Sequence, residues 1–353
     1  MSERSERDDE LLLTEEDAGA STPARAFKPV EMVACAACLR ANPPTRMNCL
    51  YCDAALPASA AGDDLRRPTL RALETWEQGF NVVLLPQASV ELSVDKLTEA
   101  AALLRLETGQ LREMTQSHVP LPLARAATRE EAALVDGKLR VLGWPVEIVA
   151  DEELRVETDT PKRIRKLEIG TDALTGWSSA EGEGVGVEWT RVTLLVAGRI
   201  ARRRIEVEER RGGGRRGKDG EVVETREFHE DESALDLYSA GWIANWRIMA
   251  ENFDYSCLGA AKGLTAAENF KRLVETLRAH ATDAAFNDSY RSVRHYLKFA
   301  WPPAEHTEAG SLKRIRPGRY NAEAVTSVTN ETQFTRYGRL LRHYRLRELS
   351  TPT

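Results

Sequence analysis

Two pairs of cysteines near the N-terminus constrain the fold of this chain more than any other feature. Cys35 and Cys38 form the first pair, Cys49 and Cys52 form the second, and ten residues lie between the pairs. Each pair encloses two residues and can form a tight turn, and two such turns facing each other bring four sulfur atoms into a tetrahedron. The spacing therefore predicts that the four cysteines bind one metal ion, and zinc is the ion that it favours.

Such a metal site is closed to chemistry. Four thiolates fill the coordination sphere of zinc and leave no position for substrate or activated water, so the spacing predicts a structural ion. Residues 41–46 are rich in turn formers, which suits a short connection between the two cysteine pairs. Two other interpretations remain open, namely a pair of disulfides and a catalytic dithiol, although redox CxxC sites normally begin a helix within a βαβ pattern.

Residues 30–57 resemble a zinc ribbon, a family of small metal-stapled modules. The resemblance is carried by the four cysteines at their spacing. It implies a module that metal binding holds together and that has little core of its own.

Length and charge restrict what the whole chain can be. A chain of 353 residues is expected to divide into two or three domains. It carries 49 Lys and Arg against 55 Asp and Glu, a net charge of −6, so no overall field attracts nucleic acid. No apolar run approaches the roughly 18 residues of a membrane span, and five cysteines with four in one cluster indicate a reducing compartment. We therefore expect a cytoplasmic protein.

Composition shifts along the chain predict the domain boundaries. The N-terminal residues are charged, rich in serine and without a hydrophobic period, which is typical of disorder. The segment after the ribbon is rich in Ala, Pro and Asp, as linkers are, and a short helix is expected over residues 69–77. The predicted divisions are a disordered leader at 1–28, the ribbon at 29–58, a linker at 59–78, a small α/β domain at 79–150, a β-sheet domain with helices at 151–304 and a basic tail at 305–353.

The small α/β domain is predicted to have the order β-α-α-α-β. Residues 80–85 are apolar and β-branched, as in a strand, and Pro86 ends the run. Two apolar sets at helical spacing follow, and Thr128 with Glu131 is a capping box that opens a third helix. Gly143 ends that helix before a second strand at residues 145–149.

These 70 or so residues resemble the C-terminal domain of the bacterial ribosomal stalk protein, the large-subunit protein that recruits translation factors. The resemblance rests on residues 80–84, Thr108-Gly109, Pro120, Thr128, the stretch 130–143 and the strand 146–148. It implies a small domain used for protein contact. The family contacts its factors through a lysine-rich face and a Gly-Leu-Gly turn, but this chain has Ala101, Ala102 and Leu103 and a Thr108–Leu111 turn without the second glycine, so no binding residue is carried over.

The pattern from residue 151 onward is that of an antiparallel sheet followed by helices. Charged and apolar residues alternate over 163–169, and two long strands, reaching 205–208 and 222–228, flank a basic, glycine-rich tip at 211–218. Helices are expected after Thr265, which forms a capping box with Glu268, and over 288–299. An antiparallel sheet covered by helices is an α+β arrangement, so we predict an α+β multidomain protein.

Catalytic signals in this part of the chain are weak. The glycine-rich tip lacks the strand and helix of a phosphate-binding loop. Cys257 offers a fifth thiol, with His229 and His280 as conceivable bases, but a buried cysteine that packs as a small hydrophobe is favoured. We predict that the protein is not an enzyme, with a Cys257-dependent enzyme as the least favoured alternative.

The C-terminal segment is predicted to form a short basic amphipathic helix. Tyr337, Leu340, Leu341 and Tyr344 recur at helical spacing. They alternate with arginines at positions 336, 339, 342, 345 and 347. The arginines are expected either to contact RNA, an anionic membrane or an acidic protein, or to stay in water while the apolar stripe packs on the β domain.

Together these patterns predict a non-catalytic interaction or regulatory protein with a structural zinc ion and a protein partner. The alternative that we keep is a nucleic-acid- or ribosome-associated protein that uses the basic tip and tail, in particular Arg215, Arg216, Arg339, Arg342 and Arg345.

Overall fold

The computed structural model of the chain divides into two compact units, Met1–Arg67 and Pro68–Thr353. It describes residues 27–52, 54–57, 66, 68–74, 77–86, 93–156, 158–179, 182–212, 221–316 and 319–350. Most of the predicted disordered leader, much of the predicted linker and most of the basic tip between the two long strands lie outside these residues.

The first unit is small. A 3₁₀ turn at Pro29–Glu31 leads into β1 (Val33–Ala34), which pairs antiparallel with β2 (Ala41–Asn42). A further bridge joins Asn48 to Ala55. Its buried apolar cluster consists of Cys35, Cys49 and Leu56. So small a core offers little hydrophobic stabilisation without a further constraint.

The second unit begins with a three-stranded antiparallel sheet of order β4-β3-β5. Its strands are β3 (Phe80–Leu84), β4 (Leu121–Ala126) and β5 (Val146–Ala150). Three helices accompany it, α1 (Val94–Leu104), α2 (Thr108–Thr115) and α3 (Arg129–Val141). The order is therefore β-α-α-β-α-β, and the predicted β-α-α-α-β order is wrong because it lacks β4.

The missed strand has a weak signal in its own sequence. β4 contains Pro122 and alternates small residues with Arg125, a composition with low strand propensity. Its six residues are nevertheless all buried, and Phe80 pairs with Ala126 across the sheet. Proline is tolerated because β4 is an edge strand and need not donate from that position to a second neighbour.

The sequence predicts capping boxes at Thr128 and Thr265, and the structure confirms the N-cap bond of each. Thr128 accepts a hydrogen bond from the Glu131 amide at 3.2 Å, and Thr265 accepts one from the Glu268 amide at the same distance. The helix predicted over 69–77 is wrong for the described residues there. This segment is instead held to α3 by the Glu131 carboxylate, which accepts from the backbone amides of Thr69 and Leu70 at 2.6 and 2.8 Å.

The largest sheet has seven strands and contains two long hairpins. Its order is β14-β15-β10-β11-β12-β6, and β13 pairs with β10. The strands are β6 (Lys162–Ile164), β10 (Val192–Gly212), β11 (Glu221–Ser239), β12 (Asn245–Met249), β13 (Ala285–Asn287), β14 (Ala304–Arg316) and β15 (Arg319–Thr329). The predicted pairing of two long strands is confirmed by the β10–β11 register, which runs from Val192 opposite Ser239 to Arg210 opposite Glu221.

The alternating segment 163–169 does not form one strand. It divides at Arg165, whose carbonyl accepts from the Asp254 amide at 2.7 Å. Residues before it form β6 in the large sheet, and residues after it form β7 (Lys166–Ile169) in a separate sheet with β8 (Ala173–Trp177) and β9 (Val185–Glu188). The alternation of residue types is the same on both sides of Arg165, so the sequence carries no signal of the division.

Four more α-helices complete the described part of the second unit. They are α4 (Asp151–Leu154), α5 (Ala266–His280), α6 (Tyr290–Leu297) and α7 (Glu331–Ser350), and 3₁₀ turns lie at Trp189–Arg191, Ala240–Trp242 and Tyr255–Ala261. Residues 305–353, predicted as a basic tail, thus contain two long strands and a packed helix. The described chain is a mixture of helices and sheets, which confirms the coarse part of the α+β prediction.

The described residues of the second unit form two buried apolar clusters, and the larger one runs through the unit. Val82 of β3, Val135 of α3, Val196 of β10 and Tyr337 of α7 belong to the same buried cluster. The boundaries predicted after residues 150 and 304 therefore do not separate compact units.

The burial of α7 also corrects the expectation for its arginines. Its apolar stripe does pack inward, but Arg336, Arg339 and Arg342 are buried as well instead of lying in water. Within the described residues, no helix is both long enough and apolar enough to cross a membrane.

Candidate metal centre

The structure brings the four predicted ligand cysteines together. The sulfur atoms of Cys35 and Cys52 are 3.6 Å apart, those of Cys38 and Cys49 are 3.5 Å apart, and all four lie within 4.8 Å of one another. Zn–S bonds of about 2.3 Å in a tetrahedron place sulfurs about 3.8 Å apart, so the spacing fits a single metal ion. All four cysteines are free, which does not match the disulfide interpretation.

The first knuckle, residues 35–38, is shaped by the backbone. The Leu39 amide donates to the Cys35 carbonyl at 2.8 Å, and the Cys35 amide donates to the Arg40 carbonyl at 3.0 Å. Leu39 has a φ of +59°, a left-handed conformation that few non-glycine residues adopt. This tight reversal turns both sulfurs of the pair toward the second knuckle.

The second knuckle, residues 49–52, closes in the same way. The Cys49 amide donates to the Ala54 carbonyl at 2.9 Å, and the Tyr51 amide donates to the Cys49 sulfur at 3.4 Å. Amide donors directed at a sulfur stabilise it as a thiolate, which is the form that binds metal.

Asn42 is a supporting residue that sequence reasoning missed. Its side chain is fully buried between the two knuckles. Its amide nitrogen donates to the Arg40 carbonyl at 2.8 Å and to the Cys49 sulfur at 3.4 Å, while its oxygen accepts from the Leu50 amide at 2.8 Å. Asn42 therefore connects the knuckles around a ligand sulfur, a role that outer-shell residues commonly have at metal sites. The one signal in the sequence is that Asn42 precedes two prolines, and this pattern is equally typical of an ordinary turn.

The thiol groups are not equivalent. Burial raises the pKa of Cys49, but hydrogen bonds from Tyr51, Cys52, Asn42 and Cys38 outweigh it and lower this pKa to about 6. Cys35 and Cys49 are buried, Cys38 is half-buried and Cys52 is exposed. The cluster is thus anchored on the inside of the module and reaches its surface at Cys52.

Large apolar side chains surround the cluster on the outside. Leu39 follows the first knuckle and is 80% exposed, while Leu50 and Tyr51 lie inside the second knuckle and are 54% and 55% exposed. The Arg40 guanidinium lies 4.6 Å from the centre of the Tyr51 ring, which brings the outer sides of the two knuckles together. We call Leu39, Arg40, Leu50 and Tyr51 the knuckle surface.

The groups proposed for catalysis around Cys257 are not assembled. Burial raises the pKa of the Cys257 thiol, and the nearby Asp254 carboxylate raises it further. His229 is paired with Glu227, and His280 stacks on Trp189 with 5.0 Å between the ring centres. Among the described residues, neither histidine is hydrogen-bonded to Cys257, which packs at the edge of an apolar cluster.

The residues of the nucleic-acid hypothesis are also dispersed. Arg215 and Arg216 of the tip lie outside the described residues. Arg339 and Arg342 are buried in α7, and half-buried Arg345 donates to the Asp283 carbonyl at 3.0 Å. In the described part of α7, these arginines therefore do not form a continuous basic surface that is exposed to solvent.

Comparison of the chain with protein-family models, with curated proteins and with solved structures finds no match. The resemblance of residues 80–149 to the ribosomal stalk domain stays a prediction. What the fold and the site define is a class, a mixed α/β protein with a four-cysteine cluster able to hold a metal ion.

Proposed function

We propose that the four cysteines bind one structural zinc ion and that the protein is a non-catalytic interaction or regulatory protein whose ribbon contacts another protein. The observation that carries the proposal is the closed set of four sulfurs with apolar side chains exposed around it. A metal ion with four protein ligands leaves no position for a reacting molecule. Its role is then to stabilise the module that carries the exposed side chains and not to take part in a reaction.

The small size of the first unit supports the zinc assignment. Among its described residues, the buried apolar cluster contains two of the proposed ligand cysteines and Leu56. Modules of this size normally depend on metal binding for their folding free energy. Four free thiols available as ligands also suit a reducing compartment such as the cytoplasm.

The knuckle surface supports a protein partner. Leu39, Leu50 and Tyr51 are exposed on a module too small to bury them. Aromatic and aliphatic side chains of this kind form the centres of protein interfaces, where tyrosine is over-represented among the residues that contribute most.

The first part of the test measures metal in the full chain. Protein prepared under reducing conditions is expected to contain one zinc ion per chain by elemental analysis, and Cys49→Ser is expected to lose it. Cys257→Ser is the matched control and should keep the metal, because Cys257 belongs to the other unit. Zinc-free protein that keeps its fold would remove the zinc assignment.

The second part identifies the partner by affinity capture with and without nuclease. A protein captured equally in both conditions and lost with the double variant Leu39→Ser, Tyr51→Ser supports the proposal. Leu264→Ser is the control, since Leu264 is fully exposed in the other unit and is also replaced by serine. Capture that nuclease abolishes would instead favour the nucleic-acid alternative.

A further inference from the structure

Two long hairpins of the large sheet end side by side. β10 pairs with both β11 and β15, and β15 pairs with β14, so these four strands run together toward one end of the sheet. Gly212 of β10 lies opposite Arg319 of β15, and Arg319 lies opposite Arg316 of β14. The sheet therefore brings the ends of two separate hairpins to one place.

The outer part of this sheet extends beyond the apolar core. Ile200 is the last residue of β10 that belongs to a described buried cluster, and no described member of either cluster comes from β14 or β15. A strand rises about 3.3 Å per residue, so Arg210 lies up to about 33 Å further along β10. Three side chains on the way are well exposed, Arg204 at 58%, Phe228 at 49% and His306 at 75%. A large partner can therefore reach this part of the sheet.

Positive charge is concentrated at the end of these strands. The last three sets of directly opposed residues on β10, β15 and β14 contain nine residues, of which six are cationic and none is acidic. We call these nine residues the basic end, and its cations are Arg210, Arg211, Lys313, Arg314, Arg316 and Arg319. The nearest acidic residues in the register are Glu221, opposite Arg210 on β11, and Glu209, one position further from the end. The basic end is thus positive, although the chain as a whole carries a net charge of −6.

The arrangement of charge at the basic end does not favour folding. Arg316 and Arg319 lie directly opposite each other on neighbouring strands. Like charges in that position destabilise a sheet. A negatively charged partner would remove the repulsion, so this register is better suited to binding than to stability.

We propose that the basic end binds the phosphate backbone of a nucleic-acid duplex. Neighbouring strands lie about 4.8 Å apart and successive residues about 3.3 Å apart, so the six cations occupy about 10 Å by 7 Å of the sheet. A duplex matches this density because it carries one negative charge per about 1.7 Å of its axis. Five of the six cations are arginine, whose guanidinium group binds phosphate through paired hydrogen bonds.

Other anionic partners match the basic end less well. Sites for single strands add several aromatic side chains on which bases stack, and Tyr320 is the one aromatic residue among the nine. Segments that bind a membrane surface combine basic residues with an apolar face, and none of the nine is aliphatic. A duplex, recognised through its phosphates, needs neither feature.

This binding surface is separate from the proposed function of the ribbon. It belongs to the second unit and requires neither the metal nor the knuckle surface. It does not depend on residues 213–220, which lie outside the described residues.

The experiment measures binding of the full chain to a labelled DNA duplex of mixed sequence by fluorescence anisotropy at several salt concentrations. An RNA duplex of the same sequence distinguishes the two sources of paired phosphate backbones. We expect a dissociation constant between about 10⁻⁶ and 10⁻⁴ M at physiological salt for at least one duplex, the range of binding without sequence recognition. Affinity should fall as salt rises, because neutralised phosphates release their counterions.

A pair of matched double variants gives the measurement its specificity. Arg211→Gln with Arg314→Gln removes two cations from positions that oppose the same residue, Tyr320. It should weaken binding at least about tenfold and flatten the slope of log affinity against log salt by up to about two units. Lys271→Gln with Arg278→Gln removes the same charge from exposed positions on α5 and should leave the slope unchanged.

Three results would overturn the proposal. The first is that neither duplex binds more tightly than about 10⁻⁴ M at physiological salt. The second is that the α5 variant flattens the salt slope as much as the variant of the basic end. The third is that a single strand of the same length, or vesicles containing anionic lipid, bind more tightly than either duplex.

Thermal unfolding checks that each variant is folded. If Arg211→Gln with Arg314→Gln does not fold, Lys313→Gln with Arg316→Gln takes its place, because both of these residues lie on β14 at the edge of the sheet. The same loss of affinity and the same flattening of the slope are expected of it. The double variant Leu39→Ser, Tyr51→Ser should bind the duplex like the unchanged protein, so failure of this proposal and failure of the proposed function are distinguishable.

Discussion

The interiors of the two units are built from different interactions. In the first unit, four sulfurs within 4.8 Å of one another form the centre, and the apolar core hardly extends beyond them. In the described part of the second unit, apolar residues form two large buried clusters, and buried arginines such as Arg247 and Arg342 are joined to an acid or a carbonyl on another element. The comparison shows that a small module can depend on one local cluster of ligands for its stability. A larger unit, with more apolar burial, can hold paired charges in its interior.

The interior charges of the second unit are connected through α7. Arg336 pairs with Asp151 at 2.6 Å, and the same carboxylate accepts from Arg125 of β4 at 2.5 Å. At the start of the helix, Glu331 accepts from Arg163 at 2.7 Å and from Arg247 at 3.2 Å. Both sets of pairs lie in the N-terminal half of α7, where Arg336 links the helix to α4 and β4 and Glu331 links it to β6 and β12 of the large sheet.

The largest expected effect is on the first unit when metal is removed. If the four cysteines bind zinc as proposed, a chelator should unfold the first unit, because structural zinc contributes about 10 to 16 kcal/mol of apparent binding free energy to small modules. Hydrogen exchange followed by mass spectrometry is expected to show full exchange in peptides covering residues 27–57 and unchanged protection in α7 and β10. Loss of protection in both units at the same chelator concentration would show that they do not differ as described.

The next largest effect is expected from breaking a buried ion pair in the second unit. Asp236 accepts two hydrogen bonds from Arg247, both at 2.7 Å, and neither residue is exposed. Asp236→Ala leaves the Arg247 charge in the core and should lower the free energy of unfolding by about 3 to 5 kcal/mol.

Glu275→Ala is the matched control for that measurement. It breaks the exposed pair with Lys271 and should change the free energy of unfolding by less than about 0.5 kcal/mol. Urea unfolding monitored by tryptophan fluorescence gives both values, and zinc content should be the same in both variants. Equal changes in the free energy of unfolding for Asp236→Ala and Glu275→Ala would contradict the claim that a buried ion pair is more costly to break than an exposed one.

A smaller effect concerns pH and the start of α7. Burial raises the pKa of Glu331, but hydrogen bonding to Arg163 and the charges of Arg247 and Arg163 prevail and lower it from 4.5 to about 2. Because the folded-state pKa lies below the unfolded one, the stabilisation is complete above pH 4.5 and is lost as pH falls toward 2.

The predicted size of this contribution is no more than about 3 kcal/mol. Glu331→Gln should lower stability at neutral pH and flatten the decline between pH 5 and pH 2, measured by urea unfolding at each pH. Glu275→Gln, at an exposed position, should leave the slope of the decline unchanged.

The smallest effects come from two glycines in helices, and they should have opposite signs. A Cβ atom on Gly338 of α7 would overlap the Tyr238 hydroxyl, so Gly338→Ala should destabilise the second unit by about 1 to 3 kcal/mol. Gly137 of α3 has no atom within 4 Å of the added carbon, so Gly137→Ala should stabilise it by up to about 1 kcal/mol. Melting temperatures of the two variants give the signs, and stabilisation by both would mean that α7 can move away from β11.

Local patterns predicted the features that depend on neighbouring residues. The spacing of Cys35, Cys38, Cys49 and Cys52 predicted the cluster, because the turns that gather the sulfurs lie within the cysteine pairs themselves. The caps Thr128 and Thr265 were predicted for the same reason, since each cap bonds to an amide three residues away. These interactions are short in sequence, and the amino-acid order alone determines them.

Tertiary structure decided the features that depend on distant partners. Arg339 and Arg342 look like solvated residues of an amphipathic helix, but both are buried, and Arg339 contacts Asp159 while Arg342 contacts the Ser239 carbonyl. β4 exists because β3 pairs with it, although its own residues have weak strand propensity. The partners of β4 and of these two arginines lie between 37 and 180 residues away, and no local pattern contains them.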